Sequence, residues 1–111
     1  MQFNTIRRWS DTGVKVIGEL EWREGPGRTF EVHVDVDPEY HRKGIGTGLI
    51  RDLELIIEDK EPMSIYTFMA ADNEKARGFF AANGFVLQLV KGFYGAGRDA
   101  YFGCKTIGTP K

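Results

Sequence analysis

Alternating apolar and polar residues recur in the first third of the chain. Between residues 14 and 22, valine, glycine, leucine and tryptophan take every second position, and charged residues fill most of the others. A second alternating run covers residues 29–36, after a turn rich in glycine. A period of two is typical of a strand with one buried face. Together with a short run at 3–9, these segments predict an antiparallel meander with one solvated face.

The pattern changes to a helical period after the glycines at 44–48. Apolar residues recur three and four positions apart over 49–57, which predicts an amphipathic helix ending near Lys60. The β-branched and aromatic run at 63–69 predicts a strand. Because this strand follows a crossover helix, we expect it to lie parallel to strand 29–36. The remaining predicted elements are a helix capped by Asp72-Asn73 and running through Ala82, strands at 85–90 and 100–107, and a flexible segment at 91–99.

Length and charge limit the class of protein. The 111 residues, 41% of them apolar, suit one domain with a single core, residues 1–111. The net charge is −1, and the Lys and Arg residues are scattered along the chain. The protein therefore lacks the broad basic face that is typical of nucleic-acid binders. No run approaches the ~20 apolar residues that span a bilayer, and Cys104 is the only cysteine. We therefore expect a cytoplasmic protein with no nucleic-acid partner, no membrane partner and no metal.

Residues 34–49 combine a strand end, Pro38, a basic turn and three alternating glycines before a helix. Such a junction directs backbone N–H groups and the positive end of a helix dipole at one place, where an anion is stabilised. The segment 44–48 is not a Walker A loop, because no Gly-Lys-Ser/Thr closes it. It also misses the dinucleotide pattern, because Leu49 occupies the last glycine position. A turn with positive φ would explain one glycine but hardly three, so we expect a phosphate cradle here.

Two segments resemble a known family. Residues 36–46 and the helix after them resemble the acetyl-CoA signature Q/R-x-x-G-x-G/A of the GNAT N-acetyltransferase superfamily. Residues 73–85 are similar to its later N-x-x-A-x-x-hydrophobic-Y-x-x-x-G-F helix, and residues 99–102 to its last strand. The resemblance implies an α+β fold of the GNAT-like acyl-CoA N-acyltransferase type, with a mixed, mostly antiparallel sheet and two main helices. It also implies an acetyl-CoA-dependent N-acetyltransferase acting on a primary amine of a small molecule or protein.

The resemblance also implies which residues hold acetyl-CoA. Backbone groups at the end of strand 29–36 would bind the pantetheine arm as an added strand, and amides of the turn would bind the pyrophosphate. Asn73 would bind the CoA arm, a role compatible with capping its helix. The implied cofactor-binding residues are Val34, Asp35, Val36, His41, Arg42, Lys43, Gly44, Ile45, Gly46, Thr47, Gly48, Asn73, Phe79 and Phe80.

The chain departs from the family pattern at three positions and in one segment. His41 replaces the usual Gln or Arg, Phe80 replaces a frequent proton-donating Tyr, and Phe68 replaces a Glu that is catalytic in some members. Two helices that usually cover the acceptor site have no room, because only residues 10–13 separate the first two strands. We therefore expect a minimal form whose open sheet face includes Ile17 and Tyr94 and is covered by a homodimer contact.

The proton transfers must then come from other residues. An amine with a pKa near ~10.4 must lose a proton before it attacks a thioester, whereas a thiolate with a pKa near ~8.5 leaves readily. Candidate bases on one face of strand 29–36 are Glu31, His33 and Asp35. Tyr94 and Tyr101 are alternative acids, with packing over the last hairpin favoured for Tyr101, and the Val36 N–H is a candidate oxyanion donor. The alternative is a solvated strand face on a catalytically silent acyl-CoA-binding or interaction module of the same fold.

Overall fold

A mixed sheet carries two helices on one face. The structure is a computed structural model that describes residues 3–41 and 43–107. Its elements are β1 (Asn4–Trp9), β2 (Val16–Glu24), β3 (Thr29–Val36), α1 (Ile45–Ile57), β4 (Ser64–Ala70), α2 (Glu74–Ala82), β5 (Val86–Val90) and β6 (Ala100–Thr106), with short 3-10 turns at Pro38–Tyr40 and Glu58–Lys60. Within these residues the strand order is β1-β2-β3-β4-β6-β5. No described helix is long and apolar enough to cross a membrane.

The predicted elements and the α+β fold class are confirmed. β1, β2 and β3 form the antiparallel meander, and β4 pairs parallel to β3 as the crossover helix predicted. The start of α1 differs from the prediction: the helix begins at Ile45, inside the glycine run, and not at Leu49. The predicted flexible segment 91–99 is folded on itself, since the Gly92 amide donates to Asp99 Oδ1 at 2.8 Å.

The core lies between the sheet and the helices. The buried side of α1 packs against the central strands, and α2 contributes Phe80 to the same cluster. Residues with almost no exposed surface include Leu20, Val32, Leu49, Ile50, Leu53, Ile57 and Ile65. Gly18 of β2 lets α1 approach closely, because a β-carbon there would lie 2.6 Å from Ile45 Cγ2. The core therefore fixes α1, and with it the glycine turn, against the meander.

The opposite face of the sheet has no helix over it in the described residues. We call it the open face; it presents Glu31, His33 and Asp35 of β3, as the alternation predicted. Ile17 does not belong to its exposed surface, and that expectation was wrong. The β1–β2 register passes from Arg8↔Gly18 to Trp9↔Val16, which leaves Ile17 as the extra residue of a β-bulge with 6% of its surface exposed. A bulge interrupts the alternation on which the expectation depended.

Candidate active site

The parallel ladder between β3 and β4 is short and ends in a gap. The strands pair only through Thr29↔Ser64, Phe30↔Ile65 and Glu31↔Tyr66. Beyond these rungs β4 continues beside β6, while the end of β3 has no β4 partner. A cleft of about 820 Å³ opens on this side, lined by the end of β3, the turn before α1 and one side of α2. The divergence of two adjacent strands therefore creates the site.

The register shows which backbone groups face the gap. The Asp37 amide donates to Ile17 O at 2.9 Å, so the backbone groups of Asp37 face β2. Because the direction of the backbone hydrogen bonds alternates along an antiparallel strand, the backbone groups of Asp35 also face β2, and those of Val34 and Val36 face the gap. Val34 and Val36 can therefore pair with an extended ligand, whereas the backbone of Asp35 cannot. Asp35 is nevertheless among the residues that line the cleft.

The N-terminus of α1 forms one end of the cleft. Gly44 precedes the helix at φ 77°, a left-handed conformation that suits glycine, and it provides no side-chain cap. The first-turn amides from Ile45 to Thr47 have no acceptor within the helix, and the positive end of the dipole lies with them. The Gly48 amide already donates to Gly44 O at 2.9 Å, so it cannot take part. The anion site suggested by the glycines is thus limited to the first turn.

Gly46 serves packing between the two helices. A β-carbon at this position would lie 2.6 Å from Cε1 of Phe79, so any side chain would displace that ring. Both residues line the cleft, as expected. The alternating glycines therefore answer different needs, a left-handed turn at Gly44 and a close helix contact at Gly46.

The turn between β3 and α1 is tied to the strand by His41. Its Nε2 lies 2.8 Å from Val36 O, and because a carbonyl only accepts, the histidine donates this bond. The Val36 carbonyl is therefore already engaged, and its N–H remains directed into the gap. Lys43 extends over the Tyr40 ring at 5.4 Å and does not line the cleft. Arg42 lies outside the described residues.

α2 forms the facing wall of the cleft. Asn73 caps the helix, since its side chain accepts from the Ala76 amide at 3.1 Å, and it also lines the cleft. Phe80 is 5% exposed and packs edge-on against Phe79 and Phe85, at ring distances of 5.0 and 4.9 Å. A hydrocarbon ring at position 80 has no proton to donate, so the wall is apolar where the family often has a Tyr.

On the open face, Glu31 and His33 form a pair. His33 Nε2 lies 2.7 Å from Glu31 Oε2, and Arg23 donates to Glu31 Oε1 from Nε at 3.0 Å and from Nη2 at 2.8 Å. Burial alone would raise the pKa of the Glu31 carboxyl, but the bonds from His33 and Arg23 outweigh burial and hold this pKa below its ordinary value. Glu31 is therefore an ionised acceptor at neutral pH. It fixes the histidine with Nε2 protonated and Nδ1 free to accept a proton.

No hydrogen bond or ring contact of the described residues joins Tyr94 to this pair, and Glu31 and His33 are themselves not among the residues that line the cleft. Tyr94 is 43% exposed in the loop after β5 and packs edge-on against Phe93, outside the described lining of the cleft. Phe93 stacks on Phe68 of β4, with ring centroids 4.5 Å apart and an 11° angle between the planes. Sequence reasoning missed this stack and the Arg23 contact. The Arg23 contact could have been predicted from the short turn between β2 and β3, because a hairpin with this turn places Arg23 opposite Glu31.

Comparisons with known proteins decide the family. The family model described as an acetyltransferase (GNAT) domain matches residues 9–87, more than half of the chain. The chain belongs to the GNAT acetyltransferase family. No curated protein sequence matches it significantly. As a GNAT domain it is an acyltransferase, and acetyltransfer in general is its chemistry.

Solved GNAT structures agree with the fold. Nourseothricin acetyltransferase superposes with a TM-score of 0.86 at 19% identity, over 96% of this chain and 66% of that protein. The ribosomal-protein-S18-alanine N-acetyltransferase of Escherichia coli gives 0.78 at 16% identity, over 99% and 72%. The ribosomal-protein-S5-alanine acetyltransferase of Vibrio fischeri gives 0.79 at 22%, over 98% and 64%. At such identities the likeness establishes the GNAT fold alone. The chain spans about two thirds of these proteins, and only residues 10–15 separate β1 from β2.

Proposed function

We propose that this GNAT protein transfers an acetyl group from acetyl-CoA to a primary amine of a small molecule or protein. One observation carries the proposal. The backbone N–H and C=O of Val34, the N–H of Val36 and the uncapped first turn of α1 open into the same cleft of about 820 Å³. An added strand and an anionic group at a helix N-terminus are what these two features bind best. Acetyl-CoA offers both, through its amide-containing pantetheine arm and its pyrophosphate.

The binding roles follow from the cleft. Val34 would exchange N–H and C=O bonds with the pantetheine arm, and the amides from Ile45 to Thr47 would receive the pyrophosphate. The Asn73 side chain, whose carbonyl oxygen caps α2, retains its NH₂ group for the arm. The Phe79 and Phe80 rings supply an apolar wall.

Proton removal is assigned to the pair on the open face. With Nε2 held by Glu31, His33 would take the proton of the incoming amine at Nδ1, directly or through a water molecule. The amine nitrogen then bonds to the thioester carbonyl carbon, the C–S bond breaks, and the Val36 N–H stabilises the developing oxyanion. Phe80 cannot protonate the leaving sulfur. A thiolate of pKa near ~8.5 leaves without that help.

Binding is tested with two variants of one residue. Val34→Pro removes the N–H that faces the gap and no bond to β2, so the sheet should remain while the affinity for acetyl-CoA falls at least tenfold by calorimetry. Val34→Ala keeps the N–H and should bind like the wild type. Equal affinity of the two variants would remove the added-strand interaction.

Transfer is tested by thiol release with a panel of primary amines. His33→Ala should lower kcat/KM by two to four orders of magnitude, the usual contribution of a general base. Glu24→Gln, an exposed carboxylate at the end of β2, is the control and should leave kcat/KM unchanged. Turnover that survives His33→Ala would remove the assignment of the base.

A second candidate is a catalytically silent acyl-CoA-binding module. The observation that favours it is the apolar character of positions 68 and 80, where Phe68 stacks on Phe93 and Phe80 is buried. Calorimetric binding of acetyl-CoA without thiol release on any amine would support this candidate over the enzyme.

A further inference from the structure

The two outer strands of the sheet differ in their protection against other strands. β1 carries Arg7 and Arg8 and ends in a bulge, features that discourage edge-to-edge pairing. β5, the other outer strand of the described residues, contains no charge, proline or bulge. Val86 is 75% exposed and Leu89 is 42% exposed. An apolar, regular edge of this kind is suited to pair with another strand.

The free hydrogen-bonding groups of β5 follow from the register. The Ile107 amide donates to Met63 O and the Ala71 amide to Asp99 O, so the backbone N–H and C=O groups of odd-numbered β6 residues face β4. Because these directions alternate along the strand, the backbone groups of even-numbered β6 residues face β5. Their β5 partners are Val86, Gln88 and Val90. The N–H and C=O groups of Leu87 and Leu89 therefore point outward from the sheet.

The sequence of β5 reads the same in both directions, Val-Leu-Gln-Leu-Val. We propose that the β5 strands of two copies pair antiparallel about a twofold axis at Gln88, joining the two sheets into one. In this register Leu87 of each copy lies opposite Leu89 of the other. These are the residues with outward groups, so they form hydrogen-bonded pairs, four bonds in all. Gln88 lies opposite its own copy in a pair whose backbone groups face β6.

The symmetry of the strand favours a second copy over a foreign strand. A twofold contact requires a surface complementary to itself, and a palindromic, uncharged strand satisfies this at every position. Pairing with a different protein needs no such symmetry. In the paired β5 strands, side chains of the same type contact each other on both faces of the sheet. Leucines contact leucines on the helical face, and valines contact valines on the open face. A single strand pair is smaller than standard interfaces, so the dimer should form reversibly at micromolar concentrations.

Charges placed on the proposed axis test the register. The wild type should shift from monomer to dimer between about 1 and 500 μM in sedimentation velocity. Gln88→Lys and Gln88→Glu should each raise the dissociation constant at least tenfold, because like charges meet at the axis. An equimolar mixture of the two variants should dimerise again. Thr5→Lys, on the outer strand β1, is the matched control and should dimerise like the wild type.

A crosslink gives an independent readout. Gln88→Cys in a Cys104→Ser background should form an intermolecular disulfide under mild oxidation, since directly opposed, non-hydrogen-bonded positions suit that geometry. Thr5→Cys in the same background should not. A wild type that stays monomeric at 500 μM, or a dimer that Gln88→Lys leaves intact, overturns the proposal. Monomers that bind a different protein through β5 would overturn it as well.

Discussion

The helical face and the open face of the same sheet are built in different ways. On the helical face, packing is so close that Gly46 has room for no side chain beside Phe79. On the open face, one hydrogen bond joins Glu31 and His33, and Phe93 stacks on Phe68 at the surface. The cleft thus depends on backbone position and helix packing, whereas the open face depends on side chains that a point mutation can change without disturbing the core.

The difference accounts for the departure from the family pattern at Phe68, but not for the one at Phe80, which is buried on the helical face. A residue such as Gly44 is fixed by its left-handed conformation, and a replacement there strains the backbone. No comparable constraint acts on Phe68, whose ring lies at the open face. Loss of the family's Glu at position 68 therefore changes a side chain of the open face and leaves the packing around the cleft intact.

The largest effect should come from filling the helical face. Gly46→Val should lower the free energy of unfolding by about 3 kcal/mol, because the new side chain displaces Phe79. Urea denaturation measures the change. Gly78→Ala on the exposed side of α2 has nothing within 4 Å of its added carbon and should be neutral or stabilising. If both substitutions destabilise equally, the close contact of Gly46 with Phe79 is not the cause.

A smaller and pH-dependent effect is expected on the open face. Glu31→Gln should lower the free energy of unfolding at pH 7 by about 1.5 kcal/mol, the net contribution of a charge-assisted hydrogen bond. Because the pKa of Glu31 is lower in the folded state, its stabilisation is complete above the unfolded value near ~4.3 and is lost as pH falls through the folded value. Wild type and variant should therefore converge in strongly acidic urea titrations. A constant difference at all pH values would contradict this.

Variants of Asn73, which caps α2 and lines the cleft, can separate capping from ligand binding. Asn73→Ala should lower the free energy of unfolding by about 1 kcal/mol, since the Ala76 amide loses its acceptor. Asn73→Asp should retain that stability and yet bind acetyl-CoA more weakly, because a carboxylate lacks the NH₂ group proposed to donate to the CoA arm. Equal binding by Asn73→Asp and wild type would exclude Asn73 from the ligand site.

The smallest effect is expected at the exposed surface. Lys15 and Asp37 form an ion pair at 2.9 Å that raises the pKa of the lysine and lowers that of the aspartate, in each case first through their hydrogen bond. Both groups remain in water, so Lys15→Ala should leave the melting temperature unchanged. Asp37→Ala should have a clearer effect, because Asp37 also accepts from the Glu39 amide at 3.0 Å. Melting curves of both variants at low and high salt would show the difference.

Periodicity in the sequence was sufficient for the antiparallel meander and for the direction of β4, whereas the position of β6 between β4 and β5 was not predicted. Local patterns of apolar residues determine which segments form strands, and the crossover rule then makes β4 parallel to β3. The gap between these strands could not be predicted, because the point of divergence depends on packing from both sides of the sheet. The bulge at Ile17 could not be predicted either, because an inserted residue is visible only in the pairing register of the two strands.

The candidate site was predicted where its chemistry depends on local sequence. The Gly44 turn and the Asn73 cap are both encoded within a few residues. The Glu31–His33 pair was also foreseeable, since alternate residues share a face. The place of Tyr94 was not, because its loop folds back through contacts between Phe93 and Phe68. Cytoplasmic location and the single domain over residues 1–111 stay predictions.

The short ladder between β3 and β4 also affects how the molecule should unfold. Three rungs join a half-sheet of β1–β3 to a half-sheet of β4–β6, so the halves can part in a sub-global opening before either melts. A ligand lying in the gap would bridge them. At a hundredfold excess over its dissociation constant it would add about 2.7 kcal/mol to the folded state. Amide exchange at Val34 and Val36 would then slow with ligand concentration, so the cooperativity of this small fold would itself depend on the bound ligand.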